Sequence, residues 1–360
     1  MIRQKGHCTV LARAQANKPG MIPASLHFPP GTRTPAALQP WKEALRDAFR
    51  DVDALLAHLG IARSAVDIAT DSPFPLLVPR GFANRMRYGD VRDPLLRQVL
   101  PIAAEGAVNP AFSLDPVGDL QRMRSPGFIH KYPHRVLLIA TGSCAVHCRY
   151  CFRRHFPYAE ELAARNSWQT ALAQIAADSS IHEVILSGGD PLSLSTPKLA
   201  ELTDALTAIP HLRRLRMHTR WPIVLPERID SEFTRWLAGL PWPITMVLHA
   251  NHAQEFDPGV SNALADLRRS GASLLNQSVL LRGVNDDLPS LRHLSETLGD
   301  HGVMPYYLHL LDRVAGAGHF EVSQARGRSL IRQLRAQLPG YLVPRLAREV
   351  AGEQSKTVLG

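Results

Sequence analysis

The sequence predicts an α/β protein whose core is a parallel sheet of six strands. Six apolar, β-branched runs indicate the strands, and after the first they recur about every 30 residues. The runs are Val136–Ile139, Glu183–Leu186, Leu212–Met217, Ile244–Leu248, Ser273–Leu281 and Val303–Leu311. Helical patterns separate them, over Trp168–Ala177, Thr196–Ile209, Ser231–Leu240, Val260–Ser270 and Leu288–Leu298. This spacing predicts right-handed βαβ units, arranged as an open sheet or as a barrel.

The chain before the core predicts two further segments. Residues 1–40 are rich in Pro, Gly and Ala and predict an irregular lead-in. Residues 41–125 predict a helical segment, because apolar residues recur at helical spacing from Trp41 to Leu59 and Gly60 follows as a helix terminator. Shorter helical pieces follow over Gly81–Met86 and Pro94–Val99.

The core is predicted to span residues 126–315, and residues 316–360 form a C-terminal segment. This segment contains a helical pattern over Ser323–Leu338, a short run over Tyr341–Ala347 and a polar tail.

Composition limits the classes of function. The chain has 360 residues, of which 45% are hydrophobic, and no apolar run reaches the roughly 18 residues of a membrane span. Three of the four cysteines lie in one loop, with Cys8 far away, which argues against disulfides and for a reducing compartment. We therefore expect a cytoplasmic protein without a membrane partner. The net charge of +9 admits a nucleic-acid surface, but the chain has no long basic run, and we expect no such partner.

The cysteine loop follows the first predicted strand directly. Cys144, Cys148 and Cys151 have the spacing C-x3-C-x2-C. Thiolates are the soft ligands that iron–sulfur clusters and zinc use. Zinc would need a fourth ligand, for which His147 or His155 could serve. A [4Fe–4S] cluster on three thiolates would instead keep one iron open.

Polar residues also follow the other predicted strands. Ser187-Gly188-Gly189-Asp190 ends the second strand; its glycines would let a ligand approach the backbone, and Asp190 could accept a hydrogen bond from an ammonium group. The same string is also an ordinary turn. Because the carboxyl ends of parallel strands meet at one edge, we expect the functional site there.

Longer strings extend these motifs. A C-x3-C-x2-C loop after the first of six α/β units resembles the radical S-adenosylmethionine superfamily. The strings at His130–Leu138, Cys148–Tyr158, Ser187–Leu192, Leu274–Asp286 and Met304–Asp312 resemble the lysine 2,3-aminomutase family, most closely its branch that makes (R)-β-lysine for elongation factor P. The resemblance implies a partial (β/α)6 barrel, with an N-terminal helical segment and a C-terminal tail folded over the barrel mouth. It also implies three cofactors: a [4Fe–4S] cluster, S-adenosylmethionine and pyridoxal phosphate.

The resemblance also implies roles for individual residues. The three cysteines hold the cluster, and Ser187, Gly188, Gly189 and Asp190 contact S-adenosylmethionine. Lys356 binds pyridoxal phosphate as an imine, Lys131 and Arg135 face its phosphate, and Tyr132, His249 and Gln277 are further cofactor contacts. Arg153 takes the substrate carboxylate, while Asp312 and Glu349 hold the distal ammonium group of lysine.

The implied reaction is an isomerisation of L-lysine. A 5′-deoxyadenosyl radical removes the β-hydrogen, and the imine nitrogen migrates from Cα to Cβ. An external electron donor and a separate elongation factor P lysine ligase are the expected partners. Two alternatives are an aminomutase for another amino acid and, in another class, a cluster- or zinc-containing nucleic-acid-binding protein. A cluster protein without turnover is a third.

Overall fold

The computed structural model describes residues 39–69, 72–158 and 168–360. Most of the predicted lead-in over residues 1–40, and Cys8 with it, lies outside the described residues. No helix within the described ranges is long and apolar enough to cross a bilayer.

Two helices open the described chain where the sequence predicted one. Helix α1 covers Pro40–Arg46 and α2 covers Val52–His58. Between them Phe49 forms an antiparallel bridge with Val78, which holds the chain extended. The Asp51 carboxylate then caps α2 by accepting from the backbone N–H of Ala54. The prediction of one continuous helix was therefore wrong, although Gly60 does follow the helix end, with a φ of 64°. Two short helices follow, α3 at Arg80–Ala83 and α4 at Pro94–Arg97.

A ten-stranded sheet in chain order dominates the described part of the protein. The strands are β1 Met123–Ser125, β2 Phe128–Tyr132, β3 Arg135–Thr141, β4 Glu183–Gly188, β5 Arg214–Thr219, β6 Ile244–Leu248, β7 Ser273–Leu280, β8 Met304–Leu310, β9 Arg345–Arg348 and β10 Thr357–Val358. Strands β3 to β9 are parallel to one another. Strands β1 and β2 extend β3 antiparallel, and β10 returns antiparallel on β9.

Helices connect the parallel strands. They are α5 Gln169–Ala177, α6 Thr196–Thr207, α7 Trp221–Val224, α8 Ser231–Ala238, α9 Pro258–Arg269, α10 Leu288–Asp300 and α11 Gln324–Arg335. Each longer helix buries one apolar stripe; in α9 it consists of Val260, Ala263, Leu264 and Leu267. Parallel strands that follow one another in chain order, each joined by a crossover helix, form a barrel-like sheet.

The predicted (β/α)6 core is confirmed as strands β3 to β8, each within about two residues of its predicted bounds. The short run over Tyr341–Ala347 was not predicted as a strand, but its last three residues belong to β9, a seventh parallel strand.

Side chains alternate between the helices and the barrel interior along each strand. On β5, Leu215 and Met217 are buried in the main hydrophobic core, whereas Arg216 and His218 line an interior cavity. Gln277 and Val279 of β7 line the same cavity. The outer face of the sheet is thus apolar, and its inner face carries the polar groups.

Side chains join the two ends of the sheet. Lys131 lies on β2 and Glu349 follows β9, at opposite ends of the strand order, and yet the Lys131 Nζ lies 3.0 Å from the Glu349 Oε1. Among the described strands, β1 and β2 have no backbone pairing with β9 or β10. We call this ion pair between Lys131 and Glu349 the seam of the barrel.

Candidate active site

One cavity of about 720 Å³ occupies the barrel interior and its mouth. All of the residues to which the family resemblance gives a role line it: Lys131, Tyr132, Arg135, Cys144, Cys148, Cys151, Arg153, Ser187, Gly188, Gly189, Asp190, His249, Gln277, Asp312, Glu349 and Lys356. The structure therefore brings together residues that are spread over more than half of the chain.

The cysteine loop forms one wall of this cavity. None of the three thiols is in a disulfide. Burial, together with the neighbouring sulfurs, raises the pKa of the Cys144 thiol well above its usual range and that of Cys151 to about 11. Thiolates crowded in this way need a compensating cation, which iron would supply.

Zinc fits this loop less well. Among the described residues, no three His, Cys, Asp or Glu side chains converge on a point where one metal ion would bind. The rings of His147 and His155 each direct one nitrogen to a backbone carbonyl, of Pro75 and Ala315 respectively. A zinc ion needs four ligands around one centre. A cluster has several irons, so its thiolates bind at separate points, and the donor set therefore suits a cluster.

The glycine-rich turn after β4 packs on the backbone at the start of the cysteine loop. Gly188 has a φ of 123°, and a Cβ there would lie 2.4 Å from the carbonyl oxygen of Thr141. A Cβ at Gly189 would lie 2.4 Å from the carbonyl oxygen of Ser143. Residue 188 therefore needs glycine for its backbone conformation, and both positions need glycine for their close approach to a carbonyl oxygen.

Asp190 is already engaged by protein groups. Its carboxylate accepts hydrogen bonds from the Thr219 hydroxyl at 2.8 Å and from the backbone N–H groups of Arg220 and Leu192. Burial nevertheless raises the pKa of Asp190 to about 7. In this structure Asp190 joins the end of β4 to the end of β5, and its predicted contact with an ammonium group stays a prediction.

A chain of alternating charges crosses the cavity mouth. Lys131 forms the seam with Glu349 and also contacts Asp119, with 2.6 Å between the Lys131 Nζ and the Asp119 Oδ1. Asp119 also accepts from the Arg153 Nε at 2.7 Å, and the Arg153 Nη1 donates to the Ser187 hydroxyl at 3.1 Å. Burial disfavours the Asp119 carboxylate, but Arg153 and Lys131 outweigh it and lower the pKa of Asp119. Asp119 thus links the predicted phosphate-facing lysine to the predicted carboxylate-binding arginine.

The hairpin of β9 and β10 explains how Lys356 reaches the cavity. Arg348 pairs with Thr357 in this hairpin, so Glu349 and Lys356 form the next cross-strand neighbours. The Lys356 Nζ lies 3.2 Å from the Glu349 Oε2 and 3.1 Å from the His309 Nε2. Burial opposes the ionisation of the Glu349 carboxyl group. The ammonium groups of Lys356 and Lys131 nevertheless lower the pKa of Glu349 to about 2.

Asp312 provides a second carboxyl group, whose pKa is raised where that of Glu349 is lowered. It follows β8, and burial together with the charge of Glu349 raises its pKa to about 7. At neutral pH this pair therefore has one fully charged and one partly protonated carboxyl group. A ligand ammonium group between them would favour ionisation of Asp312.

Three histidines, which lie on or directly after β5, β6 and β8, face the same space. They are His218, His249 and His309, and burial lowers the pKa of each, that of His249 to about 4. All three are therefore neutral at physiological pH. His249 lies 3.2 Å from the carbonyl oxygen of Gln277. In the β2–β3 hairpin, Tyr132 pairs with Arg135, whose guanidinium lies 4.6 Å from the centre of the Tyr132 ring.

Two buried nitrogen atoms on the cavity wall have no hydrogen-bond partner in the described part of the chain. They are the Nε of Arg220 and the Nε2 of His218. A buried polar atom without a partner costs free energy, so these atoms suit a site that receives a polar ligand.

Sequence reasoning missed several of these residues. His218 and Arg220 belong to a polar string after the third predicted strand, and that position was their only signal. Asp119 had no signal, because its partners are distant in the sequence. His309 lies in the string at Met304–Asp312, but nothing in that string indicated its contact with Lys356.

Comparisons with known proteins identify close relatives. A family model described as a 4Fe-4S single cluster domain matches residues 133–213. The L-lysine 2,3-aminomutase of Escherichia coli (strain K12) is 50% identical over 322 residues, which are 89% of this chain and 94% of that protein. The enzyme of the same name from Haemophilus influenzae is 46% identical over 89% of this chain and 95% of its own length. That from Clostridium subterminale is 35% identical over 88% of this chain and 77% of its own.

Among solved structures, a radical SAM methyltransferase from Sphaerobacter thermophilus matches 61% of this chain and 68% of its own, with a TM-score of 0.42 and 19% identity.

Proposed function

The chain belongs to the L-lysine 2,3-aminomutase family, and on that premise we propose that it converts (S)-α-lysine to (R)-β-lysine at the cavity described above. It is a radical S-adenosylmethionine isomerase that moves an amino group within its substrate. The observation that carries the proposal is the position of Lys356, which lies beside Glu349 in the same cavity as the three cysteines.

The residues present fit the cofactors of the family. Cys144, Cys148 and Cys151 would hold the cluster, and the turn at Ser187–Asp190 would contact S-adenosylmethionine. Lys356 would attach pyridoxal phosphate, which Lys131, Tyr132, Arg135, His249 and Gln277 would surround. When bound, these groups supply a carbon-centred radical that removes hydrogen and a conjugated ring that carries the migrating nitrogen.

The charges of the cavity select a diamino acid. Arg153 is 7% exposed and has a planar guanidinium that suits a carboxylate, although in this structure it bonds Asp119 and Ser187. Glu349 and Asp312 offer negative charge to a second ammonium group. A monoamino acid would bring no ammonium group to the buried Asp312 carboxyl, and that loss would discriminate against it.

The protein also determines the charge state around Lys356. His309 is buried and neutral, so it can accept a hydrogen bond from the Lys356 ammonium group without repelling it. Glu349 supplies the counter-charge. These two acceptors would hold Lys356 whenever the substrate amine takes its place.

Anaerobic reconstitution tests the proposal. The protein is loaded with iron, sulfide and pyridoxal phosphate, and is then given S-adenosylmethionine, a reductant and L-lysine; the products are separated by chiral chromatography. We expect (R)-β-lysine, and its absence from a protein with a complete cluster would refute the function.

The double substitution of Asp312→Asn and Glu349→Gln tests the substrate. We expect it to abolish lysine turnover. Unchanged turnover would instead favour an aminomutase for another amino acid.

We further propose that the free β-lysine serves a separate ligase that modifies elongation factor P. This assignment is supported by the resemblance to that branch of five strings, at His130–Leu138, Cys148–Tyr158, Ser187–Leu192, Leu274–Asp286 and Met304–Asp312. Hydrolysis of elongation factor P and chiral chromatography, after incubation with the chain, its cofactors, lysine and a ligase, would detect the added β-lysine. Omission of the chain is the control, and an equal yield of β-lysine without it would contradict the link.

A further inference from the structure

A buried polar network lies against Cys148 and has no part in the roles described above. It consists of Arg220, Glu255, Gln98, Asn251 and Tyr150. Of these, Glu255 and Gln98 are fully buried, Asn251 is 1% exposed and Arg220 is 5% exposed. The network therefore carries charge in a place where water cannot screen it.

Arg220 connects this network to the cysteine. Its Nη1 lies 2.7 Å from the Cys148 Sγ and also donates to the Tyr150 hydroxyl at 2.7 Å. Its Nη2 donates to the Glu255 Oε2 at 3.0 Å and to the Gln98 Oε1 at 2.8 Å. The Arg220 guanidinium therefore contacts the predicted cluster ligand Cys148 through its Nη1 and the Glu255 carboxylate through its Nη2.

The network fixes the direction of Arg220. Glu255 cannot rotate away from it, because its Oε1 accepts from the backbone N–H groups of Asn251 at 2.8 Å and His252 at 3.1 Å. The Asn251 amide also donates to the Tyr150 hydroxyl at 2.7 Å. The backbone N–H of Arg220 is itself held by the Asp190 carboxylate. Several independent bonds therefore determine where the guanidinium points.

We propose that Arg220 is a positioning residue that holds the Cys148 thiolate and raises the reduction potential of the cluster. The inference rests on the assignment of Cys148 as a cluster ligand. An N–H donor with positive charge stabilises negative charge on a ligand sulfur. Reduction adds one electron to the cluster, so the donor stabilises the reduced form more than the oxidised form. Glu255 limits this effect, because its charge partly offsets that of Arg220.

The test is a redox titration of the reconstituted cluster, poised with dithionite and followed by electron paramagnetic resonance. We expect Arg220→Gln to shift the midpoint potential to more negative values, and Arg220→Lys to shift it less. Glu255→Gln should shift it in the opposite direction, because the guanidinium charge then acts without its counter-charge. Two variants with opposite expected shifts keep the test decisive if one of them assembles poorly.

Arg228→Lys is the matched control. Arg228 is as buried as Arg220, but it bonds the carbonyl oxygens of Leu192 and Leu194 and no cysteine. Its substitution should leave the potential unchanged. Arg220→Gln and Glu255→Gln proteins with full iron and sulfide content and the wild-type potential would overturn the proposal.

The titration requires no lysine turnover, so its result is independent of the substrate. A wild-type protein that binds no cluster would instead refute the cofactor assignment.

Discussion

Asp312 gives the sharpest test of the substrate site, because its ionisation and substrate binding are coupled. Its pKa of about 7 compares with an ordinary value near 3.9, a difference equivalent to about 4 kcal/mol. Burial and the charge of Glu349 cause this difference, and the ammonium group of lysine would offset it. Lysine should therefore bind best when Asp312 is ionised, so kcat/KM should rise with pH through about 7. The rise between pH 6 and pH 8 should be about tenfold.

The assay is kcat/KM for lysine in the reconstituted enzyme across this pH range, since that quantity reports groups of the free enzyme. Asp312→Asn should abolish this step in the profile and lower kcat/KM near pH 8 by about 10- to 100-fold, the value of a charge-assisted hydrogen bond. Glu349→Gln is the matched control. It should also lower kcat/KM, but it should keep the step and move its midpoint to lower pH, because Glu349 raises the pKa of Asp312. A step that persists unchanged in Asp312→Asn would refute the reasoning.

Four further predictions concern single residues. Cys151→Ser should reduce bound iron and the cluster absorbance. Lys356→Ala should abolish borohydride-trappable pyridoxal phosphate and leave the iron content unchanged. Pyridoxal phosphate that is still attached in Lys356→Ala would contradict the lysine assignment. Asp119→Asn should lower the free energy of unfolding at neutral pH by about 3 kcal/mol, because it removes the carboxylate between two buried cations and takes from Arg153 its carboxylate partner. Since the folded-state pKa of Asp119 is depressed, that difference should shrink as pH falls below about 4, as followed by denaturant unfolding. Gly188→Ala should cost about 1–3 kcal/mol and lower the Tm, whereas Gly106→Ala, where an added Cβ meets nothing within 4 Å, is the neutral control.

Periodic patterns made most of the fold predictable. The apolar run of β6 is confirmed at Ile244–Leu248, because a strand with four of its five residues buried leaves a strong hydrophobic signal. Strand β9 was not predicted as part of the parallel sheet: it has only four residues, and an arginine stands at each end. The break between α1 and α2 was missed for a different reason. Helical periodicity continues through Ala48 and Phe49, but a tertiary bridge to Val78 overrides it.

The site was predictable only in part. Its residues could be named because long strings resemble one family, and the structure then places them in one cavity. The hydrogen-bond and ion-pair partners that these residues have in the structure could not be predicted. Asp119 comes from a loop with no motif, and its contacts with Lys131 and Arg153 exist only in three dimensions. Likewise, nothing near Arg220 in the sequence indicates that Glu255 and Gln98 direct its guanidinium to Cys148.

The seam has a consequence for the redesign of substrate preference. Glu349 is predicted to recognise substrate, and it also joins the two ends of the sheet through Lys131. A substitution that adapts the cavity to a monoamino acid would therefore weaken the closure of the barrel at the same time. Laboratory evolution towards such substrates should therefore accumulate second changes near Lys131 and Glu349. New specificity would then depend on a replacement contact between the two ends of the sheet.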